Sequence, residues 1–373
     1  MICEKERCTG CGMCMAVCPK QCITLQQNEF GSLKYHVDEE RCIHCGKCEK
    51  MCPQNSQGNG CPPRKCYAAW AADPSERASS SSGGIASALY RRILREGGAA
   101  VGACYADGEF RLKLTEKEED IRLFKGSKYV NCHSKDIYAP VKEKIAEGKP
   151  VLFIGTPCQV AAIKQVIGDS GLLYTVDLIC HGTPPQSYFA EHFKAMKENM
   201  IAADFRDGGV YRLRIDCSEG NAYRIDGGLD EYYLAFINGI TFNDCCYVCR
   251  YAKLERVSDI TIGDFWGIDE AVGRREKVDR ISLLLCNTEQ GEKLLRNASD
   301  ICLIERDIAE ALPKNEQLTR PFKRGADREK FESCYPKFGF DRSIHKLKIE
   351  KTRKKNRILT QMVQLKRKLN RSK

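Results

Sequence analysis

Eight cysteines near the start of the chain follow one spacing pattern that occurs twice. In each copy, two residues separate the first three cysteines, and a fourth follows three residues later and precedes a proline. The copies are Cys8, Cys11, Cys14 and Cys18, then Cys42, Cys45, Cys48 and Cys52. This spacing is typical of two [4Fe-4S] clusters in which the fourth cysteine of each copy ligates the cluster of the other copy. We therefore predict one cluster on Cys8, Cys11, Cys14 and Cys52, and a second on Cys42, Cys45, Cys48 and Cys18.

Zinc is the alternative for these cysteines, because CxxC pairs also form tetrahedral zinc sites. A zinc ribbon uses four cysteines per ion and does not require a doubled pattern of eight cysteines with a proline after each copy. The spacing therefore favours iron-sulfur clusters and predicts a protein that transfers electrons. Cys3 and Cys22 lie outside the pattern, and we expect them to be small packing residues.

Four further cysteines are candidate ligands of a third site. Cys158 follows the apolar segment 151–154, and Cys180 follows the predicted strand 172–179. Open α/β sheets bind ligands at the carboxyl ends of their strands. Cys246 and Cys249 form a CxxC pair farther along the chain. Spacing alone leaves a third [4Fe-4S] cluster, a zinc site and a redox-active dithiol open.

Two loops have the composition of a phosphate-binding site. Residues 79–84 (SSSSGG) precede a predicted helix over residues 85–95, and such a run leaves free N–H groups for an anion at the start of the helix. An ordinary serine N-cap is the alternative. Residues 125–129 (KGSKY) supply cations and an aromatic ring that suit a pyrophosphate or a stacked ring, although a solvated turn has the same composition.

The elements that must position these residues change in type along the chain. The offset of 34 residues between Cys8 and Cys42 predicts a small pseudo-twofold ferredoxin domain with strands over 23–25 and 35–37. From residue 67, strands (67–72, 99–105, 151–154, 172–179) alternate with helices (85–95, 137–147, 160–167), which predicts an α/β layer fold. Residues 204–225 look richer in strands, and 188–199 and 289–297 look helical.

The predicted fold class is therefore α+β, in four parts. A two-cluster ferredoxin-like domain spans residues 1–56, a linker 57–66, an α/β domain 67–340 and a basic C-terminal helix 341–373. The formal net charge is +10, but residues 342–373 hold 13 lysines and arginines against one acidic residue, so the rest of the chain carries −2. Basicity is thus a property of the tail.

An apolar stripe runs along the predicted basic helix, formed by Ile358, Met362, Leu365 and Leu369. The stripe could pack on the body of the protein, or the helix could contact an acidic partner or an anionic membrane surface. No recognition module accompanies the charge, so we expect no nucleic acid.

Composition also bears on the compartment. The chain has 23 cysteines but no apolar signal segment before Cys18, and it lacks any run of about 18 apolar residues that would predict a membrane span. We therefore expect a cytoplasmic protein. The patterns GxGxxG, GxxxxGK[ST] and GxSxG are missing, so a nicotinamide site, an ATP site and a serine nucleophile have no support in the sequence.

Six motifs, in this order, resemble the family of coenzyme F420 hydrogenase/dehydrogenase beta subunits. They are Ser81-Ser82-Gly83-Gly84, Gly126-Ser127-Lys128-Tyr129, Gly155-Thr156-Pro157-Cys158-Gln159, Cys180-His181-Gly182, Cys246 to Cys249, and Gly263-Asp264-Phe265-Trp266-Gly267. The resemblance covers about residues 66–310, and the ferredoxin block is a frequent fusion in that family. It implies an α/β flavin-binding domain that holds FAD beside a third [4Fe-4S] cluster.

Carried over residue by residue, the resemblance also implies roles for the motif residues. The third cluster would be ligated by Cys158, Cys180, Cys246 and Cys249, with Cys245 as an alternative to Cys246. FAD would be contacted by Ser81, Ser82, Gly83, Gly84, Gly126, Ser127, Lys128, Tyr129, Gly155 and Thr156. His181 and Asp264 could relay protons near the flavin, or they could have structural roles only.

The implied protein is an oxidoreductase with three [4Fe-4S] clusters and FAD. Clusters carry one electron at a time and hydride chemistry needs two, whereas a flavin can accept either. Electrons would come from a one-electron donor such as ferredoxin and leave as hydride to a small acceptor, either an F420-like deazaflavin or another metabolite. The direction of flow stays open. The alternative is a non-catalytic electron-transfer subunit of a larger redox complex.

Overall fold

The structure, a computed structural model, describes residues 1–56, 60–296 and 298–371, and residues 363–371 by their backbone alone. The strands are β1 Ile23–Gln27, β2 Leu33–Val37, β3 Lys65–Ala71, β4 Ala99–Ala106, β5 Glu109–Thr115, β6 Val151–Gly155, β7 Leu173–Leu178, β8 Met200–Asp204, β9 Arg212–Cys217, β10 Ala222–Asp226, β11 Ile260–Asp264, β12 Ser282–Cys286 and β13 Ile301–Arg306. The helices are α1 Met13–Val17, α2 Lys47–Lys50, α3 Pro74–Ala78, α4 Ile85–Arg95, α5 Ile121–Phe124, α6 Tyr138–Ala146, α7 Pro157–Ile167, α8 Gln186–His192, α9 Glu231–Ile237, α10 Asp244–Tyr247, α11 Glu270–Glu276, α12 Glu289–Leu295, α13 Ile308–Ala311, α14 Ala326–Ile344 and α15 Ile349–Arg371.

The N-terminal segment folds as two related halves. Strands β1 and β2 pair antiparallel, which confirms the strands predicted over 23–25 and 35–37. Each half has a short helix, α1 or α2, and the helices begin after Gly12 (φ 77°) and Gly46 (φ 68°). A positive φ favours glycine, and these two glycines are 34 residues apart, the offset that separates the cysteine motifs. The predicted pseudo-twofold repeat is therefore visible in the backbone.

The second part of the chain is built on an eight-stranded sheet of order β13-β3-β12-β11-β7-β6-β4-β5. The four neighbours β11, β7, β6 and β4 are parallel, and the outer pairings are antiparallel. Parallel strands are covered on both faces and therefore read as continuous apolar runs; all five residues of β6 are buried. The predicted α/β alternation is confirmed. A separate antiparallel sheet β10-β9-β8 accounts for the strand-rich region predicted over 204–225.

The two parts share one core. Core residues of the ferredoxin segment, such as Met13 and Val17, cluster with Val141 and Val160 of helices α6 and α7. The backbone carbonyl of Cys11 accepts hydrogen bonds from the Ser134 hydroxyl (3.0 Å) and the Tyr138 hydroxyl (2.8 Å). The ferredoxin segment therefore packs directly against the carboxyl-end side of the large sheet.

Several predicted boundaries differ from the structure. The helix predicted over residues 188–199 is shorter in the structure. Helix α8 ends at His192, and the chain then turns toward β8. Of the predicted linker, residues 57–59 lie outside the described residues, Cys61 pairs through its backbone with Arg256, and residues 65–66 already belong to β3. The boundary at 340/341 falls inside α14, which bends at Gly339, and the basic helix begins at Ile349. Helix α12 ends at Leu295, and residue 297 of the predicted helix 289–297 lies outside the described part.

The basic helix α15 is attached to the body at its start. Ile349 is buried, and the Asn356 side chain donates to the Gly228 carbonyl (2.8 Å). Farther along, Ile358 and Met362 of the predicted stripe are exposed, whereas the side chains of Leu365 and Leu369 lie outside the described residues. In the described part of the chain, no helix combines the length and the apolar character that a membrane crossing requires.

Candidate functional site

A cavity of about 600 Å³ opens at the carboxyl edge of the large sheet. Strands β6, β7 and β11 run parallel and end at Gly155, Leu178 and Asp264, so the motifs that follow them meet at the same edge. This is the position expected for a ligand site in an open α/β sheet. The volume lies in the range of pockets that hold cofactor-sized ligands.

The first thiol set consists of Cys8, Cys11, Cys14 and Cys52, and it lines a separate small cavity in the ferredoxin segment. Cys52 comes from the second copy of the motif, so the structure brings together the residues that the crossed pattern predicts. Burial raises the pKa of the Cys14 thiol, and the neighbouring Cys11, Cys8 and Cys52 raise it further. Four such thiols could all ionise only with a cation among them.

The second thiol set consists of Cys18, Cys42, Cys45 and Cys48, and it is the most exposed of the three. Cys45 is exposed, and helix α2, which carries Cys48, has no buried residue. Burial raises the pKa of Cys48, and the charges of Cys18 and Cys45 contribute, so the crossed partner Cys18 lies close here too. Cys22, predicted as a packing residue, is buried, and its Sγ lies 3.5 Å from that of Cys18.

The third thiol set consists of Cys158, Cys180, Cys246 and Cys249, contributed by three distant parts of the chain. Burial raises the pKa of Cys180 well above its ordinary value, and Cys246, Cys158 and Cys249 add to the rise in that order. Burial likewise raises the pKa of Cys158 to about 12 and that of Cys249 to about 11. The structure thus gathers the four residues that the resemblance implied. Cys245 lies beside Cys246 and donates a hydrogen bond that lowers the pKa of Cys246.

The distances between the Sγ atoms bear on the choice between a zinc ion and a [4Fe-4S] cluster. A tetrahedral zinc ion with Zn–S bonds of about 2.3 Å needs its sulfur atoms about 3.8 Å apart. Among the residues that the structure describes, no three cysteines of any thiol set bring their Sγ atoms within 4.8 Å of one another. A cubane binds each thiolate at a different iron corner and therefore requires wider spacing. No thiol set is therefore arranged for a zinc ion by its cysteines alone, although the Cys42 thiol lies within 4.8 Å of donor atoms of Glu39 and His44.

The two predicted phosphate loops meet in the large cavity. The Ser127 hydroxyl lies 2.9 Å from that of Ser81, and the Lys125 ammonium donates to the Ser79 hydroxyl at 2.7 Å. Gly83 donates its N–H to the Ser282 hydroxyl (2.9 Å), and a Cβ at this position would lie 2.6 Å from the Ala69 carbonyl oxygen. The loop lies so close to β3 and β12 that only glycine fits at this position. The start of α4 remains open to the cavity.

Two residues of the second loop already have partners within the protein. The Lys128 side chain is 3% exposed, and its ammonium donates to Asp204 at 3.0 Å. The Tyr129 ring stacks on Phe236, with 4.2 Å between the ring centroids. Both residues line the cavity. Their main visible role is to hold the loop in place.

The segment after β6 is held by a capping box at the start of α7. Thr156 donates its N–H to the Gln159 side chain (3.0 Å), and the amide of Gln159 donates to the Cys132 carbonyl (2.8 Å). Cys158 follows in the first turn, with its Sγ 3.2 Å from the Thr156 hydroxyl oxygen. The local sequence TPCQ therefore fixes both the helix start and the direction of Cys158.

His181 and Asp264, the candidates for proton transfer, both line the cavity. Burial lowers the pKa of His181, so its imidazole is neutral near pH 7. The ring packs edge-on against Trp266 at 5.3 Å. The Asp264 carboxylate accepts a hydrogen bond from Arg206 Nη1 at 2.9 Å.

Arg206 is a site residue that sequence reasoning missed. Its guanidinium lines the cavity and contacts three of the six motifs: Asp264, the Ser81 carbonyl (2.8 Å) and the Tyr129 hydroxyl (3.4 Å). It also lies over the Tyr211 ring, 4.1 Å from the centroid. The local sequence does not mark this arginine as a site residue, because the three motifs that it contacts meet only after folding.

A dicluster ferredoxin segment joined to an α/β domain with a third thiol set defines an iron-sulfur protein of the electron-transfer class. The chain belongs to the family of coenzyme F420 hydrogenase/dehydrogenase beta subunits. Residues 66–137 match the N-terminal and residues 148–310 the C-terminal domain of that beta subunit, and residues 7–56 match a 4Fe-4S dicluster domain. The family resemblance found in the sequence is thereby confirmed.

Individual relatives are distant. One subunit of the F(420)H(2) dehydrogenase of Methanosarcina mazei is 23% identical over 364 residues, which cover 91% of this chain and 96% of that protein. A chain of the F420-reducing [NiFe] hydrogenase complex from Methanosarcina barkeri is 18% identical with a TM-score of 0.46; the match covers 69% of this chain and 89% of that one.

Proposed function

We propose that the protein is an iron-sulfur flavoprotein oxidoreductase with three [4Fe-4S] clusters and FAD. Electrons from a one-electron donor such as ferredoxin pass through the clusters and leave as hydride to a small organic acceptor, either an F420-like deazaflavin or another metabolite. The same path can run in reverse. We further propose that the protein works in the cytoplasm, in keeping with its many unpaired cysteines.

One observation carries this proposal: a single cavity contacts both the thiols and the phosphate-type loops. Cys11 of the first thiol set and Cys158 and Cys180 of the third set line it, together with the loops that hold Ser81 and Ser127. A ligand in this cavity would therefore lie next to the third set, which in turn lies next to the first. A redox-active organic cofactor with phosphate groups would use both kinds of neighbour.

Each group of residues has a distinct task in this proposal. Bound FAD would supply the exchange between single electrons and hydride. The loop at Ser81–Gly84 and the open start of α4 would bind its phosphates through N–H groups and hydroxyls. Lys125, which pairs with the buried Glu76, would lie at that end, and Arg206 would hold the loop and Asp264 together. The thiols of Cys158 and Cys180, at the strand ends, would keep the third cluster close to the flavin.

Proton transfer would fall to His181 or Asp264, which both line the cavity. A neutral imidazole can accept a proton and, once protonated, can donate it again, and burial lowers the pKa of His181 and so favours the neutral form. Asp264 is engaged by Arg206, which suits a positioning role better than proton transfer. We therefore assign the proton-handling role to His181 first.

Anaerobic purification with iron, sulfide and flavin analysis tests the cofactor set. Twelve motif cysteines at four per cubane imply about twelve iron atoms per chain, together with one FAD. About eight iron atoms would remove the third cluster and leave the ferredoxin pair. A chain with clusters but without flavin, even after reconstitution with FAD, would contradict the enzyme proposal.

A second candidate function is a non-catalytic electron-transfer subunit of a larger redox complex. It is favoured by the relative that matches 91% of the chain, which is itself named as a subunit. The two candidates differ in what the isolated chain does. Oxidation of the dithionite-reduced protein by a small deazaflavin, without any partner protein, would support the enzyme; a reduced flavin that no small acceptor reoxidises would support the non-catalytic role.

A further inference from the structure

One face of helix α15 is attached to the body of the protein. Ile349 is buried, and the Arg353 Nη1 atom lies 2.6 Å from the Glu231 carboxylate. One turn farther along, the Asn356 side chain donates to the Gly228 carbonyl. Ile349, Arg353 and Asn356 are four and then three positions apart, so they share one side of the helix. The start of α15 is therefore fixed through this side.

The opposite side of α15 is apolar and exposed. Ile358 is 58% exposed and Met362 is 60% exposed. At about 100° per residue, Ile358 lies about 180° around the helix from Ile349. Positions 365 and 369, both leucines, continue the series at helical spacing. The described part of the apolar stripe therefore points away from the body and does not pack on it.

The cations of α15 greatly outnumber its acidic residues. Residues 349–371 contain nine lysines and arginines and a single acidic residue, Glu350. Glu350 already pairs with Arg353 at 3.0 Å and with Lys354 at 3.7 Å. Three further cations are exposed, namely Lys351, Lys355 and Arg357. An exposed apolar stripe and an excess of positive charge thus lie together on one helix.

Basic residues flank the stripe on both sides. Around the helix, Lys354 and Lys355 lie about 40° to one side and about 60° to the other side of Ile358. Positions 366 and 368, both lysines, lie about 80° to either side farther along. A planar bilayer matches this arrangement, because its acyl region can take up the stripe while anionic headgroups meet the cations on both flanks.

We propose that α15 lies on the surface of an anionic phospholipid bilayer, with its apolar stripe among the acyl chains and its lysines at the headgroups. The inference goes beyond the proposed redox function and does not depend on it. In its described part, α15 lacks the apolar character that a membrane crossing requires. Basic amphipathic helices bind in the plane of the interface, through buried apolar area together with attraction to anionic lipids.

Vesicle flotation of the full-length holoprotein tests the proposal. Vesicles of phosphatidylcholine mixed with phosphatidylglycerol are compared with vesicles of phosphatidylcholine alone. Ile358→Gln/Met362→Gln removes the described part of the stripe. The matched control is Ile201→Gln/Val210→Gln, because Ile201 and Val210 are 58% and 52% exposed and lie in β8 and in the loop before β9.

A second pair of variants tests the charge. Lys351→Gln/Lys355→Gln removes two exposed cations, and Lys351→Arg/Lys355→Arg keeps them. The same glutamine substitutions at Lys194 and Lys197, which are exposed and follow α8, are the matched control. All the substituted side chains are exposed, so each variant should keep the iron content of the wild-type protein.

We expect the wild-type protein to float with the anionic vesicles and not with the neutral ones. The apparent dissociation constant for anionic lipid should rise at least about tenfold both in Ile358→Gln/Met362→Gln and in Lys351→Gln/Lys355→Gln, because the stripe and the charge act together. The arginine variant and both controls should bind as the wild-type protein does.

Three results would overturn the proposal: no flotation with anionic vesicles, equal flotation with both kinds of vesicle, or unchanged binding by either glutamine variant of α15. If only the lysine variant loses binding, charge alone adsorbs the helix, the stripe is not embedded, and an acidic protein becomes the better occupant. Each of these results leaves the iron and flavin content of the wild-type protein unchanged, so the proposed function would stand.

Discussion

Arg256 and Asp177 form a buried ion pair, with 3.0 Å between the guanidinium Nη2 and the carboxylate Oδ1. The same guanidinium donates to the carbonyls of Leu178 (3.3 Å) and Tyr251 (3.0 Å). Leu178 lies two residues before Cys180, and Tyr251 lies two residues after Cys249. The pair therefore ties together two chain segments that carry thiols of the third set.

Asp177→Asn should destabilise the protein and loosen the third site. The substitution leaves the Arg256 charge buried without its carboxylate, and breaking a buried pair in this way costs about 3–5 kcal/mol. We expect a lower free energy of unfolding, measured by anaerobic urea denaturation with tryptophan fluorescence, and a loss of up to about a third of the iron.

Glu289→Gln is the matched control, because Glu289 pairs with Arg64 at 3.8 Å on the surface. Exposed pairs contribute at most about 1 kcal/mol. An Asp177→Asn protein as stable as this control, with all its iron, would show that the Arg256 pair does not support the third site.

Gly83→Ala should weaken flavin binding without affecting the clusters. The added Cβ would lie 2.6 Å from the Ala69 carbonyl and 2.9 Å from the Ser282 nitrogen, so the loop must move away from the sheet. We expect the affinity for FAD to fall at least about tenfold, or about 1.4 kcal/mol, at unchanged iron content. Gly171→Ala is the control, since a Cβ there has no neighbour within 4 Å among the described residues. Equal FAD binding by both variants would mean that this loop does not contact the cofactor.

His192 makes the stability of the C-terminal region dependent on pH. Burial alone would lower its pKa, but Asp230 (3.2 Å) and Asp341 contact its ring and together raise the pKa to about 9. The stabilisation is complete below the unfolded pKa of about 6.5 and is lost as the pH rises through about 9, with a total of about 3 kcal/mol. The free energy of unfolding of the wild-type protein should decrease between about pH 6.5 and about pH 9, whereas that of His192→Gln should not decrease in this way. Parallel curves for the two proteins would contradict the assignment.

The sequence predicts the ligands better than it predicts what surrounds them. Motif cysteines and strand ends could be predicted because they depend on local features of the sequence, namely fixed spacings and apolar runs. Cys52, which joins the first thiol set, and Cys158, which follows β6 in the first turn of α7, are examples. Arg206 and Arg256 could not be found in this way. Each acts on segments that are distant in sequence, and before folding an arginine that will be buried looks like one that will be solvated. Helix α8 is shorter than predicted because residues 193–199 form turns before β8 begins at Met200.

Cys246→Ser/Cys249→Ser should remove the third cluster and spare the other two. Serine oxygen is a poor ligand for a soft iron-sulfur site, so the protein should lose roughly a third of its iron. Iron and sulfide analysis of anaerobically purified protein measures this. Cys334→Ser, which changes a half-buried cysteine outside every thiol set, is the control, and Cys245→Ser tests the alternative ligand. Iron retained in the double variant but lost in Cys245→Ser would move the ligand assignment to Cys245.

Cys158→Ser should interrupt the electron path at its innermost step. Cys158 lines the cavity and lies within the electrostatic reach of Cys11, so in the proposed order the third cluster joins the first cluster to the flavin. The variant should keep two reducible clusters and its FAD, yet the flavin should be reduced at least about tenfold more slowly by a one-electron donor. A small two-electron hydride donor bypasses the clusters and should reduce the flavin at the wild-type rate. Stopped-flow absorbance with each donor measures both routes. Loss of both routes with FAD retained would assign Cys158 to flavin or substrate chemistry, and loss of neither would mean that electrons reach the flavin without the third cluster.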